Sequence, residues 1–556
     1  VIENSTFAAA GRPIPLWLSI IPPLLAIVFA LFFREVYTAL LVGLLSGTSI
    51  IAFFGGNGAI ASVFIGLLRI IDTYVVETLS NTGHASIIVF SLLIGGMVNI
   101  ITRNAGMKGV VKRLSRYAAN KRSGLLVTWV LGIAVFFDDY ANTLVVGNTM
   151  RPVTDKLKVS REKLSYVVDS TAAPISAIAF ITTWIGAELS YIQNGVQTIN
   201  ATYSGAITQS AYTIFMNSLA YSFYPILTLG FVLFIIISQR DYGPMLKAER
   251  LSWQDNTTPG EPKITESVGL EELHVSEEIP ARGRNAVIPV LTVIFGAIAG
   301  LIYTGLQEQE WVSAAGFATN LSKVIGAANT FQALLWASFG GVFVAVILSL
   351  SQRLLSLKES MDAMVNGFKT MLSAIIILVL AWSLAKLTEN MQTATFLSNL
   401  MLDMKLSPYL IPAITFILAS LVAFSTGSSW GTMAILYPLL LPTTWSVCVE
   451  FSLDHNHSLI IFYNVVASIL AGSVFGDHCS PISDTTILSS LATSCNHIEH
   501  VRTQLPYALT VGFSSLLLGT IPTAYGVPAW LSFCISLIVL WLVIRFIGKK
   551  NNVIRQ

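Results

Sequence analysis

Five aspartates stand in apolar surroundings where an ionised carboxylate is costly. Asp138 and Asp139 lie between Val135, Phe136 and Phe137 on one side and Leu144, Val145 and Val146 on the other, and Asp169, Asp477 and Asp484 fall within or beside other long apolar runs. At mid-bilayer an ionised Asp costs at least ~2.5 to 3.5 kcal/mol, so such acids are functional by default. Around them stand Asn142, Thr171, Ser176, Ser425, Thr426, Ser428, Ser429, Ser480, Ser483 and Thr485, an oxygen-rich set suited to a hard cation such as Na⁺. The four motifs that carry these residues contain no Lys or Arg, which disfavours a purely anion-selective site. The first choice for Na⁺ ligands is Asp477, Asp484 and Asp139. Only one of the adjacent Asp138 and Asp139 need face the site, because neighbours do not share a helical face. Asp169 and Asp484 have an alternative role, capping amides freed by Pro174 and Pro481. His478 is either a proton carrier or a hydrogen-bonded structural histidine. Trp430 either packs or stacks on a substrate.

The elements that must position these side chains are dictated by the solvent. The 556 residues include 32 Lys plus Arg and 30 Asp plus Glu, 11% charged against 54% hydrophobic, with mean hydropathy +0.70. A soluble domain carries about 25% charge, so this chain is built for lipid, and soluble enzymes and nucleic-acid binders are excluded. A net charge of +2 implies no anionic partner. Cys448, Cys479, Cys495 and Cys534 form no CxxC pair, which removes disulfide scaffolds and thiolate metal sites.

Runs of about 18 or more apolar residues mark candidate spans near 15–33, 36–54, 85–101, 164–185, 212–238, 286–303, 331–350, 370–386, 459–480, 505–521 and 529–547. The first run, Ile14 to Phe33, lacks a basic leader and a small-residue cleavage site and reads as a membrane helix, not a signal peptide. Two further runs, 125–150 and 408–441, are interrupted by polar or glycine-rich residues. Cytoplasmic loops collect Lys and Arg. Arg103, Lys108, Lys112, Arg113, Arg116, Lys121 and Arg122 precede the first interrupted run, and Arg151, Lys156, Lys158, Arg161 and Lys163 follow it, so 125–150 reads as a re-entrant hairpin entered from the cytoplasm. Segments 186–210 and 439–458 hold no Lys or Arg and read as external, so 408–441 enters from outside. Eleven crossings then join an external N-terminus to a cytoplasmic C-terminus. The hydrophilic stretch 239–284 reads as an acidic cytoplasmic linker unable to fold alone.

The chain also repeats itself. Phe137 to Asn142 stands over Phe424 to Ser429, with Pro152 or Pro438 about fifteen residues later; Asn104 matches Asn390; and Pro174-Ile175-Ser176 matches Pro481-Ile482-Ser483. Each half contains three spans, a hairpin, a span broken at Pro-Ile-Ser, and another span. Five crossings per half is odd, so the second half is inverted relative to the first. The expected fold is an all-α polytopic membrane protein of two inverted repeats, each with a re-entrant hairpin and a broken transmembrane helix. Its divisions are 1–238 (hairpin 125–150, broken helix 164–185), the linker 239–284, 285–525 (hairpin 408–441, broken helix 459–490), and an added helix with a basic tail at 526–556. Backbone that leaves the helical state in hydrocarbon exposes polar groups at several kcal/mol each, so breaks mark sites. They are expected at Thr171 to Ser176 and Asp477 to Thr485, with hairpin tips at Asp138 to Asn142 and Ser425 to Thr432.

The runs Phe136 to Met150, Asp169 to Glu188, Phe424 to Pro438 and Gly476 to Ser490, the last reading Gly-Asp-His-Cys-Ser-Pro-Ile-Ser-Asp-Thr-Thr at its start, resemble the NhaC-type Na⁺/H⁺ antiporter family of the ion transporter superfamily. The resemblance spans roughly residues 10 to 545. It implies a carrier of the bacterial inner membrane, built of inverted repeats, often a homodimer, that works by an elevator-like displacement of the hairpin domain. No cofactor is expected beyond the transported Na⁺ and H⁺. The leading expectation is Na⁺/H⁺ exchange, a carboxylate from Asp138, Asp139, Asp477 and Asp484 binding either ion in turn. The alternative is a Na⁺- or H⁺-coupled carrier of a small carboxylate or amino acid, with Na⁺ at the Asp477 to Thr485 break and the substrate between the hairpin tips.

Overall fold

The computed structural model describes residues 12–33, 35–179, 182–254, 279–310, 320–321, 324–325, 327–404 and 406–550. It is a helical bundle in which the strand pairing among these residues is a short antiparallel contact of Arg240–Asp241 with Lys549–Lys550. Eleven described helices are long and apolar enough to cross a membrane: Val36–Phe54, Ala59–Leu79, Thr82–Arg103, Arg284–Glu308, Thr330–Ser351, Leu357–Asn390, Pro408–Thr426, Ser429–Glu450, His455–Cys479, His497–Ala524 and Ala529–Phe546. Two bent pairs, Arg161–Ile178 with Thr183–Thr202 and Ala211–Tyr221 with Phe223–Ser238, are span-like when each pair is joined.

The number eleven recurs, but the set differs from the apolar runs. Ala59–Leu79 is an additional span, hidden in the sequence because Arg69, Asp72 and Glu77 punctuate it. It widens into a π-helical turn at Ile70–Val75, and Phe64 and Leu68 lie exposed, as side chains facing lipid do. The run at 15–33 yields only a shorter apolar helix over Leu16–Ala30. Three span-length helices, Val36–Phe54, Ala59–Leu79 and Thr82–Arg103, precede the first interrupted run, and Arg284–Glu308, Thr330–Ser351 and Leu357–Asn390 precede the second. The matched asparagines behave alike. Asn104, ending the third helix of one half, donates to Ser349 Oγ at 2.9 Å on the second helix of the other. Asn390 donates to Tyr74 OH at 3.3 Å in the same sense.

The first interrupted run becomes helices Lys121–Ala134 and Asp139–Lys156. Asn120 starts it with a capping box shared with Ser123, which satisfies amides the helix leaves free. Its first arm of 14 residues extends about 21 Å at 1.5 Å per residue, short of the ~30 Å hydrocarbon core. The second becomes Ile411–Thr426 and Ser429–Glu450, whose outgoing arm runs past the expected limit at 441. In that hairpin each arm has the length and apolarity of a full span.

The expected break at Thr171 to Ser176 lies further along. Pro174 is accommodated inside Arg161–Ile178, and the chain leaves the helix at Ala179 before restarting at Thr183. A proline removes one amide donor and crowds the carbonyl four residues earlier, so its helix continues for a turn and ends just beyond it. The second break, Ser480 to Ser483, falls as expected between His455–Cys479 and Asp484–Thr493. An unforeseen 47° bend separates Ala211–Tyr221 from Phe223–Ser238.

The stretch read as an acidic linker unable to fold alone begins with a segment docked on the bundle. Helix Gly243–Gln254 follows the short strand, and Glu249 accepts from Ser160 N at 2.9 Å and Ser160 Oγ at 2.7 Å while pairing with Lys121 at 2.5 Å. Asp241 pairs with Lys163 and accepts from Tyr507 OH at 2.6 Å. These acids have partners across the bundle, which is why an acidic segment docks here. Residues 255–278 of that stretch lie outside the described residues.

Candidate functional site

Both hairpin tips rest on the broken helix of their own half. Ser176 Oγ donates to the carbonyl of Phe136 at 3.3 Å and Thr183 N to that of Phe137 at 3.0 Å. Asn142 Nδ2 ties the outgoing arm to Gly132 O at 2.7 Å and Thr171 O at 3.1 Å. Gly132 is required there, since a Cβ would come within 2.1 Å of Thr171 Oγ1. In the second half Asp484 N donates to Gly427 O at 3.4 Å. Gly427 has φ +65°, and a Cβ on it would lie 2.4 Å from Ile482 O. Ser176 and Ile482 belong to the two Pro-Ile-Ser motifs, so the repeated tripeptide marks the seat of each tip.

Three hydroxyls restart helices inside the bundle. Thr182 accepts from Trp184 N and Ile185 N, Ser428 from Gly431 N, and Ser483 from Thr486 N. Ser428 and Ser483, expected as ion ligands, therefore serve first as N-caps. Thr426 Oγ1 donates to Val422 O and accepts from Ser428 N, Thr171 Oγ1 donates to Val167 O, and Ser480 Oγ accepts from Ile482 N. Ser425 is half-buried in the last turn before Gly427, whereas Ser429 is buried with its hydroxyl unpartnered.

The acids meet across the halves. Asp484, in the first turn of its half-helix, accepts from Tyr140 OH at 3.4 Å. That phenol also lies within electrostatic range of Asp138, Asp139 and Asp477. Asp138 and Asp139 are both buried, Asp139 as the first residue of its helix. Asp477 sits in the last turn of His455–Cys479, where free carbonyls make the negative end of the helix dipole. Its Oδ2 accepts from Thr485 Oγ1 at 3.1 Å, and its Oδ1 is buried with no partner. Asp169 Oδ2 accepts from Thr486 Oγ1 at 3.0 Å and Gln504 Nε2 at 2.7 Å, with His500 Nε2 at 3.9 Å, so its bonds reach side chains of the other half and not amides freed by Pro174. Asp169 Oδ1 and Asn142 Oδ1 are buried and unpartnered too.

Among the described residues no three His, Cys, Asp or Glu side chains lie close enough to hold one metal ion together. Asp477, Asp484 and Asp139, expected as Na⁺ ligands, surround the Tyr140 phenol without forming such a group.

His478 is held by Tyr224 OH at 2.9 Å from Nδ1, while its Nε2 is buried and unpartnered. Trp430 packs against Trp184 with centroids 5.8 Å apart. Sequence reasoning assigned no role to Thr486, inside the expected broken helix 459–490, or to His500 and Gln504, just before the span at 505–521, yet all three converge on Asp169. It also singled out no role for Glu188, a buried acid in an apolar helix, although the signal that flagged the aspartates applied to it equally.

A bundle of membrane helices with paired breaks and buried, half-partnered carboxylates is a secondary transporter. Residues 180–521 match the Na⁺/H⁺ antiporter family, and the chain belongs to that family. It is 32% identical over 539 residues to an uncharacterised protein of Haemophilus influenzae, covering 95% of each chain. It is 27% identical over 185 residues to the malate-2H⁺/Na⁺-lactate antiporter of Bacillus subtilis, covering 33% of this chain and 37% of that one. The crystal structure of the YdaH transporter from Alcanivorax borkumensis has a similar fold, with TM-score 0.54 at 13% identity over 83% of this chain and 90% of the other.

Proposed function

We propose that the protein exchanges Na⁺ for H⁺, with the Asp477 carboxylate taking Na⁺ or a proton in turn. The observation that carries this reading is the buried Asp477 at the C-terminal end of a half-helix, one oxygen bonded by Thr485 and the other without a geometric hydrogen bond beside the Ser483 hydroxyl. Helix-end carbonyls favour a cation there, and neighbouring hydroxyls supply neutral ligands. Competition for one carboxylate couples the two fluxes. If it operates, the apparent Na⁺ half-saturation constant rises about tenfold per pH unit below the site pKa, since one unit is 1.36 kcal/mol of proton chemical potential. Radiolabelled Na⁺ uptake into proteoliposomes across a pH series tests this. A pH-independent constant overturns it.

A second reading, coupled transport of a small carboxylate or amino acid, is favoured by the name of the Bacillus subtilis relative and by the Trp184–Trp430 pair beside the second hairpin tip. It requires Na⁺ affinity to tighten with one added solute, because coupling between two ligands is reciprocal. The docking of each tip on its own broken helix supports an elevator-like motion of hairpins and broken helices as one body.

For placement we propose the bacterial inner membrane, a homodimer and a cytoplasmic C-terminus. With 103–122 cytoplasmic, the three spans before it put residue 35 outside. The helix Ile21–Phe33 packs along Val36–Phe54, Pro22 and Ala26 meeting Gly43. If that helix also crosses, the N-terminus is cytoplasmic, the reverse of the side expected from the apolar runs.

A further inference from the structure

Glu188 is 1% exposed, and neither of its carboxylate oxygens has a partner. It lies on Thr183–Thr202, on the face shared by Trp184, Tyr191 and Gly195 at helical spacing. That face packs on Ser429–Glu450. Trp184 meets Trp430 at 5.8 Å, Tyr191 stacks on Tyr437 at 5.6 Å and 16°, and a Cβ on Gly195 would lie 2.9 Å from Leu441. The carboxyl is thus held between an indole pair and a phenol pair. Tyr437 OH is directed to Val466 O at 3.1 Å, and Tyr191 OH is unpartnered.

The titratable groups around it are few. Tyr191 is on its own helix and Tyr437 faces it from the opposite one. On Thr82–Arg103, His84 is turned to Thr78 O and Asn194 and stacks on Trp382 of Leu357–Asn390. No ion pair involving Glu188 occurs among the described residues. An ionised carboxylate left so is a buried, uncompensated charge costing several kcal/mol. A cavity of 380 Å³ does open beside this helix, but Leu189, Ser190, Gln193, Asn194 and Gln197 line it, on the side away from Glu188. The Glu188 side is closed by ring pairs and by the Gly195–Leu441 contact, which suits a proton and not a hydrated cation.

We propose that Glu188 is a second proton site of the transport cycle, separate from Asp477 and occluded between the two helices. This rests on the Na⁺/H⁺ reading for the identity of the exchanged ion, but its proton occupancy is measurable alone. Purified full-length protein in proteoliposomes is titrated by infrared difference spectroscopy, reading the C=O band of protonated carboxyl groups. In parallel, the H⁺:Na⁺ ratio is taken from the reversal of flux under imposed K⁺-valinomycin potentials. Glu188→Gln should lose one titrating carboxyl band and, while still exchanging radiolabelled Na⁺ for Na⁺, move fewer protons per Na⁺. Glu188→Asp should keep the band and the ratio, and serves as the folded control. An unchanged band, or an unchanged ratio in Glu188→Gln, overturns the proposal and leaves Glu188 a permanently neutral packing residue. A wild-type protein with no Na⁺ flux but a band lost in Glu188→Gln overturns the Na⁺/H⁺ reading while upholding the proton site.

Discussion

Gln504 donates to Asp169 Oδ2 at 2.7 Å with the same amide nitrogen that bonds the carbonyl of His478 at 2.9 Å. One side chain, 335 residues along the chain from Asp169, thus fastens the first broken helix to the end of His455–Cys479. His500 Nε2, 3.0 Å from Gln504 Oε1, holds the amide in that orientation. Truncation at Gln504 strands a buried carboxylate. Gln504→Ala should lower stability by about 1–3 kcal/mol, the cost of a buried polar group left unpaired. Thermal unfolding in detergent reads this, and an unchanged midpoint would show that Asp169 finds other partners.

Asp477→Asn should abolish coupled transport while leaving a folded protein, since it removes cation attraction and lowers the desolvation cost. Thr485→Ala is milder. It frees Asp477 Oδ2 of its hydroxyl, and a hydrogen bond to a charged group is worth about 1.5–3 kcal/mol. We expect the Na⁺ half-saturation constant to change by roughly 10- to 100-fold by that measure. Wild-type uptake in both variants would assign Asp477 to structure.

Gly427→Ala tests the seat of the second tip. The left-handed backbone and the Cβ clash with Ile482 O act together, and the left-handed conformation alone costs a side chain about 1–2 kcal/mol. Transport should fall well below wild type, and the Asp484 to Gly427 contact should lengthen. Normal transport by this variant would mean that the tip does not need to dock.

Asp241→Asn leaves Lys163 buried without its counter-charge. Breaking one side of a buried pair costs about 3–5 kcal/mol, so poor expression or a sharply lowered unfolding midpoint is expected. Replacing Asp241 and Lys163 together with apolar residues should recover part of the loss. Failure of the double variant to improve on the single would exclude the ion pair as the cause.

The Ala59–Leu79 crossing can be checked by labelling. In a background lacking Cys448, Cys479, Cys495 and Cys534, a cysteine at Asn57 should react from the cytoplasm and one at Asn81 from outside, with Arg116 and Lys156 both cytoplasmic. Reaction of Asn57 and Asn81 from the same side would remove that span from the membrane.

The sequence by itself determined the solvent, the helical class and most of the acids buried at the breaks. These are legible because lipid forces long apolar runs and makes every intramembrane carboxylate conspicuous. It mistook one span, because Arg69, Asp72 and Glu77 interrupt the apolar run that Ala59–Leu79 presents outward. Its acidic linker gave no sign that Asp241 and Glu249 are buried against Lys163, Lys121 and Ser160. Only the tertiary structure decided that Ser428 and Ser483 cap helices, that Asp169 is bound by Gln504 and Thr486, and that Asp139, Asp477 and Asp484 gather around the Tyr140 phenol. Periodicity and hydropathy describe how one helix meets its solvent. Which oxygens converge depends on contacts between segments hundreds of residues apart, and those are fixed by packing alone.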